Sequence, residues 1–207
     1  MAILLKIICT VKKMIENIDS LTKEIRKVVK KSVSRSRYEH SVRTAKTCRS
    51  LCKKYGLDAK TGYFAGLSHD MCKKFSPEEL FETAGKDGAV ITELEKENPS
   101  LLHGRAAAVK LREDFNVKDT EVLQAVANHT FGKKDMCSLA KILFISDKIE
   151  PGREQVDKKY MKSIKNLTLD QLVYKVVSES REYLLKKGKK IAPETEELLE
   201  ELKREGL

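Results

Sequence analysis

The sequence predicts an all-α fold, a helical bundle with its chemistry in the core. Apolar residues recur at spacings of three and four along most of the chain, the period of a helix face. Only four prolines and ten glycines interrupt its 207 residues. The four histidines, His40, His69, His103 and His129, are too widely separated for one loop and suit one per successive helix. The length fits one domain with a sizeable core, or one domain plus an extension. We expect residues 1–33 to form a basic helical extension and residues 34–207 the body. No repeat, low-complexity tract or inter-domain linker is visible.

Residues 12–33 read as a polar-rich helix, with Met14, Ile18, Leu21, Ile25, Val28 and Val29 on one face. Tyr38 to Tyr55 is the first strong helix, striped by Tyr38, Val42, Ala45, Cys48, Leu51, Cys52 and Tyr55 and stopped by Gly56. His40 is expected in its first turn, beside the stripe, with Arg37 near the positive helix end. Asp58 caps a second helix that runs through Phe64 and Leu67 to Ser68-His69-Asp70. Ser76-Pro77 is a cap followed by a first-turn proline, opening a helix over roughly 77–84. Gly85 to Gly88 breaks the chain, and Asn98-Pro99-Ser100 introduces the element that carries His103 and the small run Ala106-Ala107-Ala108.

Asp119 caps the next helix, which bears Val122, Leu123 and Val126 and ends at Asn128-His129-Thr130-Phe131-Gly132. Ser138 starts a helix whose inward face holds Leu139, Ile142, Leu143 and Ile149, and Asp147 shares that face. A buried carboxylate without a cation or strong donors is costly, so Asp147 calls for one. Glu150-Pro151-Gly152-Arg153 ends the helix. Further helices are expected over about 169–187 and from Pro193.

Composition narrows the function classes. The net charge is +10, but residues 1–36 hold nine basic and three acidic residues, so the rest is only mildly basic. A polyphosphate substrate accounts for that excess about as well as RNA does. No run reaches the ~18 apolar residues that span a membrane, and the apolar start makes a poor signal peptide. Five cysteines (Cys9, Cys48, Cys52, Cys72, Cys137) without a CxxC pair read as reduced thiols in a cytoplasm.

His69-Asp70 supplies an imidazole and a carboxylate, the mixed N/O set that suits divalent iron, manganese or zinc. An adjacent His-Asp pair alone is more often an ordinary helix end, and a His before a glycine turn, as at His129, is often only a cap. The distribution of His40, His103, His129 and Asp147, one per expected helix, favours a metal site built from facing helices.

The order His, His-Asp, His, His, Asp resembles the HD-domain superfamily of metal-dependent phosphohydrolases. Within it, Arg37-Tyr38-Glu39-His40, Leu67-Ser68-His69-Asp70 with Lys73, Asn98-Pro99-Ser100-Leu101-Leu102-His103, His129-Thr130-x-Gly132 and Ser146-Asp147-x-Ile149-Glu150-Pro151-Gly152-Arg153 are similar to the bacterial YqeK family. Members of that family are symmetrical bis(5'-nucleosyl)-tetraphosphatases. The resemblance covers about residues 33–200. It implies an iron centre and cleavage of diadenosine tetraphosphate into two ADP. His40, His69, Asp70 and Asp147 match the family's metal ligands. His103, His129 and Thr130 match positions on the phosphate side, the two histidines being alternatively a second metal site. Arg37 and Arg153 match phosphate contacts. Three departures border the substrate side: Phe131 for a small residue, Lys133-Lys134-Asp135 for Arg-Pro-Gly, and Asn128 for a common tyrosine.

The expected chemistry is attack of a metal-activated hydroxide on phosphorus, with His69, Asp70 and Lys73 catalytic and Arg37, Lys73 and Arg153 offsetting phosphate charge. Manganese or another divalent ion is an alternative to iron. Expected partners are a dinucleoside polyphosphate and its nucleoside diphosphate product, with no membrane and no nucleic acid, and a homodimer is compatible. Two other readings compete. One is a nucleotidase or phosphodiesterase of the same superfamily. The other is a non-catalytic RNA- or ribosome-associated protein, disfavoured because all four histidines fall on motif positions and no aromatic-rich RNA-binding signature appears.

Overall fold

Each helix expected above is present in the structure, a computed structural model that describes residues 18–204. Helix α1 covers 18–32 and sinks Ile25 and Val29 completely, so the described part of the expected extension packs into the same core as the body. Residues 12–17 of that expected helix, and Cys9, lie outside the described residues.

Ser34 caps α2 (Arg35–Lys54) by accepting from the Arg37 amide, so α2 begins earlier than the apolar stripe suggested. Its buried face is Ser41, Thr44, Ala45, Cys48 and Cys52 together with His40. His40 therefore points inward with the core residues rather than standing beside them. The stripe residues Tyr38, Val42, Leu51 and Tyr55 are only partly buried.

Asp58 caps α3 (Ala59–Ser68), which lies along α2 and ends at His69. A reciprocal Ser76–Glu79 capping box opens α4 (Pro77–Gly85). The sequence reading placed no element over 89–97, yet a second capping box, Thr92–Glu95, nucleates the five-residue α5 (Glu93–Glu97). A 3₁₀ turn over Pro99–Leu102 leads into α6 (His103–Glu113), whose first residue is His103.

Asp119 caps α7 (Thr120–Asn128), with His129 at its C-terminal end. Helix α8 (Ser138–Ile149) is the central element: it packs on α2, α3, α7 and α10 (Leu169–Lys186). The short α9 (Lys158–Ser163) precedes α10, and α11 (Pro193–Arg204) packs back on α10. No strand occurs among the described residues, and none of their helices is long and apolar enough to cross a membrane. Cys48, Cys52 and Cys72 are free and buried. Burial pushes the thiols of Cys52 and Cys72 up to about 11 and about 12, which suits packing rather than redox work.

Candidate metal centre

The four histidines and two aspartates that the sequence scatters over more than a hundred residues meet at one point, between the ends of α2, α3, α6, α7 and α8. His40, His69, Asp70, His103 and His129 are all buried, each at most 6% exposed. The His69 ring stands edge-on to those of His40 and His129, at centroid distances of 5.3 and 4.8 Å.

Local structure fixes each ring. His69 Nδ1 donates to Gly66 O (2.7 Å), His103 Nδ1 to Ser100 O (2.6 Å) and His129 Nδ1 to Val126 O (2.7 Å), in each case the carbonyl three residues back. A carbonyl can only accept, so the ring proton sits on Nδ1 and the neutral ring presents a bare Nε2 lone pair. His40 Nδ1 lies 3.1 Å from Glu150 Oε1 and reaches the same state through a carboxylate. Gly104 lets α6 approach closely enough for this: a Cβ there would lie 2.9 Å from both the His129 ring and Val126 O.

All four Nε2 atoms face the two carboxylates. His40 Nε2 is 3.0 Å from Asp147 Oδ1, and His69 Nε2 is 3.4 Å from Asp70 Oδ2 and 3.8 Å from Asp147 Oδ1. His103 Nε2 is 3.0 Å from Asp70 Oδ1, and His129 Nε2 is 3.9 Å from it. Neither His40 Nε2 nor His69 Nε2 has a hydrogen-bond partner, although both are buried. His103 Nε2 and His129 Nε2 stand 3.0 Å apart. Two lone pairs so placed repel, and a cation between them and Asp70 removes that repulsion.

Electrostatics agree for the carboxylates and His129, whereas at His69 burial is outweighed by Asp70, which raises the pKa, so a metal would compete with a proton for its Nε2. Burial alone would raise both aspartates, but His69 and His103 around Asp70, and Lys148, His40 and His69 around Asp147, hold both carboxyls well below the usual range. Burial, with His69 and His103 as neighbours, keeps the His129 imidazole well below its ordinary value and so neutral. Bare imidazole nitrogens and ionised carboxylates are the protonation states that a divalent metal requires. The donor set therefore fits a metal. Two groups lie within ligating distance of one another: His40, His69 and Asp147, and His69, Asp70 and His129.

A ring of cations surrounds these carboxylates. Arg37 Nη1 lies 3.0 Å from Asp70 Oδ2, and Arg153 Nη2 lies 2.7 Å from Asp147 Oδ1. Both arginine side chains are about a third exposed, at the mouth. Lys73 Nζ rests 3.3 Å from the His103 ring, and burial lowers its pKa. The Thr130 hydroxyl is buried without a partner.

Sequence reasoning missed three participants. Lys148 donates to His129 O at 3.1 Å and lies 3.5 Å from Asp147 Oδ2. Arg43 and Glu150 pair behind His40. Their signal is positional: Arg43 follows His40 by one helical turn, and Glu150 follows Asp147 by the same step.

The HD-domain family model matches residues 37–152. The symmetrical bis(5'-nucleosyl)-tetraphosphatase of Staphylococcus aureus is 30% identical over 170 residues, 78% of this chain and 84% of that protein. The protein of the same description from Bacillus subtilis is 27% identical over 167 residues, 81% of this chain and 89% of its own length. A crystal structure of a predicted HD superfamily hydrolase involved in NAD metabolism, from Clostridium acetobutylicum, superposes with a TM-score of 0.81 at 27% identity. It covers 88% of this chain and 97% of the other.

Proposed function

We propose that this chain, which belongs to the HD-domain family of metal-dependent hydrolases, is a symmetrical bis(5'-nucleosyl)-tetraphosphatase that splits diadenosine tetraphosphate and water into two ADP. The observation that carries the reading is the convergence of four bare Nε2 atoms and two carboxylates inside a ring of cations. The match to the staphylococcal and Bacillus enzymes over about four-fifths of the chain names the substrate class.

His40, His69, Asp70 and Asp147 would hold the metal, with His103 and His129 on the phosphate side, where they would also serve a second ion. Iron is the proposed ion, with manganese able to occupy the same mixed N/O set. When bound, the metal supplies Lewis acidity and a water acidified towards neutral pH. The chain's own groups do the rest. Arg37 and Arg153 sit at the mouth, where they grip the polyphosphate, while Lys73 and Lys148 offset charge that builds deeper in the site. The Thr130 hydroxyl is free to donate to a phosphoryl oxygen. Asp70, held ionised and engaged as a ligand, would orient the attacking water, whose proton leaves to bulk solvent. The enzyme acts in the cytoplasm.

Chromatography of the products from diadenosine tetraphosphate with added ferrous iron tests the reading. ADP alone is expected; AMP with ATP would mean attack off the central bridge and would refute the symmetrical reading. Asp70→Ala is expected to lose bound metal and turnover together, the former read by elemental analysis. Full turnover in metal-free Asp70→Ala protein would overturn the mechanism.

A further inference from the structure

Three of the four histidines are held by the carbonyl of their own helix turn, and His40 is the exception. Its own candidate, Arg37 O, already accepts the Ser41 hydroxyl at 3.1 Å. His40 Nδ1 meets instead Glu150 Oε1, a carboxylate 110 residues away at the end of α8. The carbonyl-bound rings follow their own helices. The His40 ring is fastened to the helix that carries Asp147, its partner across the metal centre.

Glu150 is built to be held still. It is 1% exposed, and each of its oxygens has two donors. Oε1 accepts from His40 Nδ1 and from Arg43 Nη2 (3.1 Å); Oε2 accepts from Arg43 Nε and from the Gly152 amide (2.6 Å). A bidentate arginine fork fixes the carboxylate plane as well as its position. Gly152 makes room for the fork, because a Cβ there would lie 2.5–2.6 Å from the Arg43 guanidinium atoms. His40 and Arg43 thus both tie α2 to Glu150 behind the site, while His40 Nε2 faces Asp147 inside it.

We propose that Arg43, Glu150 and Gly152 form a positioning unit that sets the tautomer and orientation of His40 for the metal. The inference rests on the metal centre in the functional reading, not on the identity of the substrate. Glu150 keeps the ring proton on Nδ1 and, as an anion, makes Nε2 a stronger donor; such partners typically change metal affinity 10- to 100-fold. Arg43 acts one step further out, by aligning Glu150. None of the three touches the reacting groups.

The test uses the full chain, Mn²⁺ as the probe metal, and Glu150→Gln, Arg43→Met and Gly152→Ala. Gly152→Ala keeps both charged groups and displaces only the guanidinium, so it remains informative if the charge variants fold poorly. Mn²⁺ affinity by calorimetry should fall roughly 10- to 100-fold in Glu150→Gln, and in the same direction but less in the other two. ¹⁵N NMR of the metal-free protein should show His40 protonated on Nδ1 in the wild type and a tautomer mixture in Glu150→Gln. A lower melting temperature with unchanged Mn²⁺ affinity and an unchanged tautomer would reduce the unit to a structural brace and overturn the proposal. Tight Mn²⁺ binding that weakens in the variants, in a chain that leaves diadenosine tetraphosphate intact, would instead defeat the substrate reading and uphold this one.

Discussion

At the scale of single residues, Lys148 is the group whose role differs most from what its position suggests. It lies between Asp147 and Ile149, where a lysine on a largely apolar helix reads as a solvated side chain. Its ammonium sits over Phe144, with Nζ 3.7 Å from the ring centre, and also reaches His129 O and Asp147. Burial pulls its pKa down and Asp147 pulls it back up, leaving it below the ordinary lysine value. Lys148→Met keeps the stem and removes the charge. One hydrogen bond to a charged group contributes roughly 1.5–3 kcal/mol, so kcat/KM for diadenosine tetraphosphate should fall roughly 10- to 100-fold. Metal content should stay at the wild-type level. Equal kcat/KM in the two proteins would remove Lys148 from the substrate site. The six residues of the cluster could be picked out because the four histidines are spaced one per expected helix, Asp70 adjoins His69, and Asp147 shares the inward face of an apolar run. Lys148 and Arg43 could not, since an interior helical lysine or arginine carries no local mark of the side to which it bends.

At the scale of elements, long amphipathic helices could be read from periodicity, and α10 was placed to within a residue of its end. The short α5 and α9 could not, because one or two turns give no period to count. What holds α5 in place is a tertiary contact. Arg105 on α6 reaches across to Asp87, to Glu95 at 3.1 Å and to the carbonyls of Ala89 and Val90. It thereby pins the segment whose end, Ser100, orients His103. Glu95 is 3% exposed and in Arg105→Ala keeps only its Thr92 donors, so loss of its cation should cost up to about 3 kcal/mol, the low end for broken buried pairs. A melting temperature within two degrees or so of wild type would contradict this, since ~1 kcal/mol shifts a domain of this size by roughly 2–4 °C. The same contact has an acid limb. Burial alone would raise Asp87, but the Arg105 fork and the Ala89 amide bring its pKa below the ordinary aspartate value. A depressed folded-state pKa adds stability above the unfolded value, and that stability is lost as pH falls through the folded one. Acid titration of wild type against Arg105→Ala should show this component of the loss in the wild type alone.

At the scale of the whole molecule, the net charge of +10 left two readings open, a polyanionic substrate or a nucleic acid. The placement of the cations separates them. Arg37, Lys73, Lys148 and Arg153 gather around Asp70 and Asp147 at one point, which suits a compact polyphosphate. A site of this kind draws a tetraphosphate inward by its field, and steering of that sort raises association by roughly 10- to 1000-fold at low ionic strength. The screening length shrinks from about 10 Å at 0.1 M salt to about 3 Å at 1 M. With divalent metal held constant, kcat/KM should therefore fall by roughly tenfold or more from low to high salt, while kcat changes little, because groups already in contact are screened far less than groups approaching one another. Parallel initial-rate series in sodium chloride check this. A flat kcat/KM would show that the cations act only after contact. Loss of kcat with KM unchanged would place the salt effect on the folded site itself, and would point to the exposed ends of the Arg37 and Arg153 pairs as its origin.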